Sequence, residues 1–257
     1  MAVITLLTDF GTADAYVGIM KGVILSRCPG ASIVDLTHQV PPGDVHAASY
    51  LLGAAWRYFP AGSVHVAVVD PGVGSDRRVL AARVEGQTFV APDNGLISAV
   101  LEDVTPETVV SVEYRDFFLP QVSRTFHGRD VLAPTAAAIA CGVKIDTLGP
   151  AVEPRVKLPR HQAMIDGDGE MVGHVIHVDR FGNLITSVRE DEVEEGDDVM
   201  VAGHVVHGLS ESYSAVQRGE LLAIIGSTGR LVVSVPGGSA AEMLGVGVGT
   251  QVKVVRG

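Results

Sequence analysis

The pattern of apolar runs changes part-way along the chain, and that change limits the fold more than any other feature. In the first half, strand-like runs alternate with helical stretches. AVITLLT (2–8), SIVDLT (32–37), SVHVAVV (63–69) and TFVAP (88–92) read as strands. DAYVGIMKGVILSRCPG (14–30), DVHAASYLLGAAWRYFP (44–60), NGLISAVLEDV (94–104) and GRDVLAPTAAAIACG (128–142) read as helices. Strands that are apolar almost throughout have no face for water, so they predict a parallel sheet covered on both sides. A proline-bearing stretch without periodicity (149–170) follows, and beyond it the strands come without long helices: MVGHVIHVD, NLITSV, DVMVAGHVV, LLAIIG, RLVVSV and QVKVV. One short helix, SAAEMLG (239–245), interrupts this series, and STG between LLAIIG and RLVVSV suits a hairpin turn. The expected fold is α/β in two domains. Residues 1–150 form a mostly parallel-sheet α/β domain, 151–167 a linker, and 168–257 a smaller antiparallel β-barrel-like domain.

The 257 residues are 47% hydrophobic and 19% charged, enough apolar surface for a sizeable core. The formal net charge of -11, with no run of Lys or Arg, argues against a nucleic-acid partner. MAVITLLTDFG lacks a basic leader and meets an acid early, so it reads as a strand and not a signal peptide. No apolar segment approaches the ~18 residues that span a bilayer, so no membrane partner is expected and the location expected is cytoplasmic. Cys28 and Cys141 stand far apart in apolar or helical surroundings and read as small buried thiols in a reducing compartment.

Three strands of the first half end on acceptors. LLTDFG places Asp9 there, HVAVVDPG places Asp70, and FVAPDNG places Asp93 and Asn94. Asp-Gly after a strand is ordinary turn chemistry, but the carboxyl ends of parallel strands also line the ligand crevice of such sheets. Several acids there suit ribose hydroxyls or an ammonium group. VVDPGVGSDRR (68–78) goes further, with a carboxylate at the entrance of a glycine bend and two arginines at its exit. If the chain leaves the bend as a strand, Arg77 and Arg78 point to opposite sides and only one enters the crevice. TFHGRD (125–130) offers His127, either structural or a group that manages a proton beside Asp70 and an arginine. The pairs His174/His177 and His204/His207 have chelating spacing but lie in strands, where positions three apart face opposite sides, so no metal is expected. In HVDRFGNLIT (177–186), Asp179, Phe181 and Asn183 surround Gly182; a bulge explains the glycine, and an amino-acid head group or a purine explains the set.

In order along the chain, TDFG, VVDPGVGSDRR, PDNG, TFHGRD, DRFGN and GSTG resemble the motifs of the S-adenosylmethionine hydrolases, or SAM hydroxide adenosyltransferases, relatives of the SAM-dependent fluorinase and chlorinase. The resemblance implies hydrolysis of S-adenosyl-L-methionine by water or hydroxide at the ribose 5′ carbon, giving adenosine and L-methionine, without a cofactor. It also implies a homotrimer, with the ligand between the N-terminal domain of one subunit and the C-terminal domain of its neighbour. The implied catalytic trio falls on Asp70, Arg77 and His127. Asp9 falls where ribose is held, Asp179 at the methionine ammonium, and Asn183 at adenine with Phe181 nearby. Asn94 joins the substrate-binding set, and Ser227 and Thr228 fall at the methionine carboxylate, although the fluorinase has Arg where this chain has Thr228. The halogenating relatives carry Tyr in place of His127, which favours the hydrolase branch. The alternatives are a chloride-using halogenase and a non-catalytic protein that binds adenosine or S-adenosylmethionine.

Overall fold

The computed structural model describes residues 2–167 and 169–257. The chain divides into two compact units, Met1–Pro159 and Arg160–Gly257. Two residues named as expected domain limits, Met1 and Asp168, lie outside the described residues.

The first unit holds β1 (Val3–Thr8), α1 (Tyr16–Arg27), β2 (Ser32–Thr37), α2 (Val45–Ala55), β3 (Val64–Val68), β4 (Val79–Val84), β5 (Gln87–Pro92), β6 (Thr108–Ser111) and α3 (Ala133–Ala140). Its sheet runs β2-β1-β3-β5-β4-β6, and the first four of these strands are parallel. β4 joins antiparallel to β5, and β6 antiparallel to β4. Both sheet faces are covered. Ile4, Leu6, Val64 and Val66 pack on one side with Met20 and Ile24 of α1 and Ala133 and Ala136 of α3. Leu7, Ala67, Val69 and Phe89 pack on the other with Ala48 and Leu52 of α2 and with Trp56. Burial on two sides is the reason the strands read as continuous apolar runs.

Two sequence expectations are corrected here, and a conditional one is met. β4 is the strand by which the chain leaves the glycine bend; it forms because Glu85 and Gly86 both take positive φ (47° and 74°), which closes a two-residue hairpin onto β5. Residues 94–104 are not a helix. Gly95 turns left-handed at φ 92° with Leu158 packed where a side chain would stand, and a run of turns follows that buries Leu96, Ile97 and Val100. The cysteines are not free thiols. Cys28 at the end of α1 and Cys141 at the end of α3 form a disulfide with Cα atoms 6.0 Å apart, and Cys141 is exposed. The expected connector is also partly anchored, since Arg155 N donates to Asp93 and Val152 N to Val109 O.

The second unit contains β7 (Met164–Ile165), β8 (Met171–Val178), β9 (Leu184–Arg189), β10 (Asp198–Val201), β11 (His204–Val206), β12 (Leu222–Ile225), β13 (Arg230–Ser234), α4 (Ala240–Leu244) and β14 (Gln251–Val255). All its pairings are antiparallel, in the order β11-β10-β14-β8-β9-β13-β12 with β7 beside β8. Ser210 N donates to Ala223 O of β12 just beyond β11, so the two ends of the sheet approach and the unit is barrel-like. Its core is Val175, Leu184, Val199, Leu231, Val233 and Val252 with their neighbours. DVMVAGHVV is two strands, not one, because Ala202 and Gly203 turn at positive φ (49° and 79°). No helix among the described residues is long and apolar enough to cross a membrane.

Candidate active site

β1, β3 and β5 are neighbours, so the acids that follow them come out along one edge of the sheet. A cavity of about 450 Å³ opens there, lined by Asp9, Asp70 and His127 together with Phe10, Pro71 and Phe126. Asp9 is fixed by Gly43 N, which donates to its Oδ2 at 2.8 Å and ties the loop after β2 to the end of β1.

The glycine bend after β3 does its work through close packing. Asp70 Oδ1 accepts from Gly72 N at 3.1 Å and from Arg77 Nη1 at 2.5 Å. A side chain at Gly72 would collide with the Arg77 guanidinium, and one at Gly74 (φ 84°) with the carbonyl of Arg124. The glycines therefore make room for protein groups. The two arginines separate as expected: Arg77 takes Asp70, while Arg78 gives Nε and Nη2 to Asp93 Oδ2 at 3.0 and 2.6 Å.

That second pairing removes Asp93 from the acceptor set. Its buried carboxylate also accepts from Arg155 N, and it does not line the cavity. Asn94 is likewise committed, its Nδ2 donating to Val69 O at 2.8 Å and its Oδ1 accepting from Leu96 N at 3.2 Å. Asn94 braces the end of β3 and is not among the cavity residues.

His127 immediately precedes a widened helical turn, Gly128–Leu132, in which Ala133 N bonds back to Gly128 O. No described protein group hydrogen-bonds its imidazole, which faces the cavity with Asp70 and Asp9. Gly128 is buried, and a Cβ there would stand 3.3 Å from Met20 Sδ and 3.4 Å from Val68 Cγ1.

In the second unit a cavity of about 590 Å³ is lined by Asp179, Phe181, Asn183, Tyr213 and Gly237. Asp179 Oδ1 accepts from the backbone N–H of Phe181 and of Asn183, both at 2.9 Å, and its Oδ2 from Asn183 Nδ2 at 2.7 Å. The carboxylate thus shapes the turn and aims Asn183, and Phe181 stands 74% exposed, an aromatic face free to take a flat group. Ser227 and Thr228 are not brought to these residues. They sit at the exposed β12–β13 turn, whereas the β9–β13 register puts Asn183 at the other end of that strand pair. Tyr213 escaped the sequence reading; an aromatic in the aperiodic run SESYSA was its only signal.

The β8–β9 register shifts between Val175 and His177, so strict alternation does not by itself separate His174 from His177. His207 Nδ1 lies 2.9 Å from Asp198 Oδ2, and His204 Nδ1 lies 3.2 Å from Ala202 O. Among the described residues no three His, Cys, Asp or Glu side chains gather as metal ligands.

Residues 4–149 match the SAM hydroxide adenosyltransferase N-terminal domain and residues 173–253 the C-terminal domain. The (R)-S-adenosyl-L-methionine hydrolase of Salinispora tropica is 39% identical over 259 residues, covering 99% of this chain and 98% of that protein. A fluorinase of Actinopolyspora mzabensis is more distant, 27% identical over 218 residues, 75% of this chain and 73% of that protein. The crystal structure of an uncharacterized conserved protein from Thermotoga maritima superposes with a TM-score of 0.92 at 33% identity, covering 98% of this chain and 100% of that one. The chain belongs to the SAM hydroxide adenosyltransferase family.

Proposed function

We propose that this protein hydrolyses S-adenosyl-L-methionine to adenosine and L-methionine, with Asp70, Arg77 and His127 as its catalytic groups. The observation that carries the reading is the Asp70–Arg77 ion pair beside a cavity that Asp70 shares with His127 and Asp9. The sulfonium is already a good leaving group, so the difficulty lies in the nucleophile, water, which gives up a proton only reluctantly at neutral pH. As its oxygen bonds to the 5′ carbon, the carbon–sulfur bond breaks, its electron pair neutralises the sulfonium, and one proton leaves the attacking water. Arg77 cannot act as a base, since it stays protonated; its charge stabilises the hydroxide character that develops. Asp70 holds Arg77 and accepts a hydrogen bond from the water, and the unbonded imidazole of His127 orients the water and takes up its proton. The apolar walls, Phe10, Phe126 and Pro71, restrict solvent so that one water aligns behind the breaking bond.

Asp9 binds the ribose hydroxyls in this reading, Asn183 the adenine edge with Phe181 beside it, and Asp179 the methionine ammonium. The protein assembles as a homotrimer in which a neighbouring subunit completes each site; the support is the motif resemblance. Incubation with S-adenosylmethionine, with and without chloride, tests the reading. Equimolar adenosine and methionine in both cases is the expected result. Formation of 5′-chloro-5′-deoxyadenosine would indicate the halogenase, and saturable binding without methionine release a non-catalytic binder. Solution mass tests the trimer.

A further inference from the structure

His127 reaches the cavity at the end of a long irregular segment, residues 112–127, that carries one short 3-10 turn, Arg115–Phe117. No sheet hydrogen bonds hold its last part. A cluster centred on Asp130 does. The Asp130 side chain is fully buried, and its Oδ2 accepts from Ser123 N at 2.8 Å. Ser123 Oγ in turn accepts from Phe126 N at 3.0 Å, and Leu119 N donates to Asp130 O at 2.9 Å. The Arg129 guanidinium closes the cluster, with Nε and Nη2 at 2.6 and 3.0 Å from the two carboxylate oxygens and its carbon 5.1 Å over the Phe126 ring. One residue thus ties the 119–127 segment: its carboxylate takes Ser123 N and Arg129, its main-chain carbonyl takes Leu119 N, and Ser123 and Arg129 extend the tie to Phe126.

Two further features relate this cluster to the reacting groups. The widened turn Gly128–Leu132 holds one residue more than an α-turn, and each added residue rotates what precedes it by roughly 100° about the helix axis. Asp130 lies inside that turn, so the contacts that hold the segment also hold the irregularity that aims His127. The same segment packs its Arg124 carbonyl against Gly74, in the bend that carries Asp70 and Arg77. Asp130 itself does not line the cavity.

We propose that Asp130 is a positioning residue: through Ser123 and Arg129 it fixes the 119–127 segment and thereby sets where His127 stands relative to the Asp70–Arg77 pair. The proposal rests on the hydrolytic reading of the cavity for its catalytic consequence, and on geometry alone for the anchoring. Asp130→Asn retains an acceptor for Ser123 N and loses the charge that holds Arg129. Ser123→Ala removes the Phe126 bond and leaves the buried carboxylate in place, so it reports even if the first variant fails to fold. Each is compared with the full-length protein for kcat and KM of adenosine release and for the rate of tryptic cleavage after Arg124, which is exposed. A small displacement of a reacting group costs up to about 100-fold, so kcat should fall by about 10- to 100-fold with KM little changed, while cleavage after Arg124 accelerates. Wild-type kcat in both variants would overturn the proposal, as would a loss of kcat with unaltered cleavage. If the unmodified protein releases no adenosine, the hydrolytic reading fails, and the cleavage rates alone then decide the anchoring: faster supports it, unchanged refutes it.

Discussion

Arg77 and His65 illustrate how one charged or chargeable side chain is used in opposite ways. Arg77 is partly exposed and held by Asp70 beside the cavity, although it is not itself among the residues that line it. Removing a preorganised charge of this kind costs about 10²–10³ in rate, so Arg77→Ala should lose that much kcat, read as adenosine formed per active chain. Near-normal turnover would remove Arg77 from the mechanism. His65 is enclosed in β3, its Nε2–H donated to Gln87 Oε1 at 2.7 Å and its Nδ1 accepting from Thr5 Oγ1 at 2.8 Å. Its ring stacks on Phe89 with centroids 4.7 Å apart. Burial lowers the His65 pKa from its ordinary 6.5, and the bond to Gln87 opposes that only in part. The folded chain then binds this proton less readily than the unfolded one. Its contribution to stability is complete above about pH 6.5 and is lost as the pH falls toward the lower folded-state value. Thermal midpoints should drop over that interval, and His65→Gln should flatten the drop; parallel curves for the two proteins would contradict the assignment.

Elements differ in how far their own residues specify them. α2 was legible because Asp44 caps it, accepting from Ala47 N at 2.9 Å, and because Pro60 forbids continuation soon after its end. The strands β1, β3 and β5 were legible from unbroken apolar runs. The β4–β5 hairpin was not, since a Glu at positive φ is uncommon and Glu85-Gly86 lacks the Asn-Gly or Asp-Gly signal. Residues 94–104 misled for the converse reason, having helical composition but a left-handed start at Gly95. The bend after β3 carries a prediction of its own. Gly74→Ala sets a side chain at φ 84° and against the Arg124 carbonyl, which should cost at least about 1–3 kcal/mol and displace the 119–127 segment. A lower denaturation midpoint accompanied by slower adenosine release is the expected result; a variant as stable and active as the parent would show that the bend adapts.

At the scale of the molecule, the disulfide is the largest departure from what composition implied. Cys28 and Cys141 lie 113 residues apart, so their bond closes a loop over most of the first unit and restricts its unfolded states. Bonds of this kind contribute typically about 2–4 kcal/mol, so Cys141→Ser or a reductant should lower the unfolding midpoint. Equal midpoints with and without dithiothreitol would show that the bond contributes nothing. Neither cysteine carries a local mark of its partner, because pairing depends on where α1 and α3 end in space. The same division holds for the acids. Short-range chemistry alone placed Asp9, Asp70 and Asp93 after strands and packed those strands into a covered sheet, since apolar periodicity and turn residues act over a few positions. Asp70 and Asp93 look alike at that range, each followed by a turn and each within reach of an arginine. Folding separated them: Arg155, 62 positions beyond Asp93, returns to satisfy it in the interior, while Asp70 keeps its face toward the cavity. A buried carboxylate must find its donors wherever the chain brings them, and that choice exists only once distant segments have met.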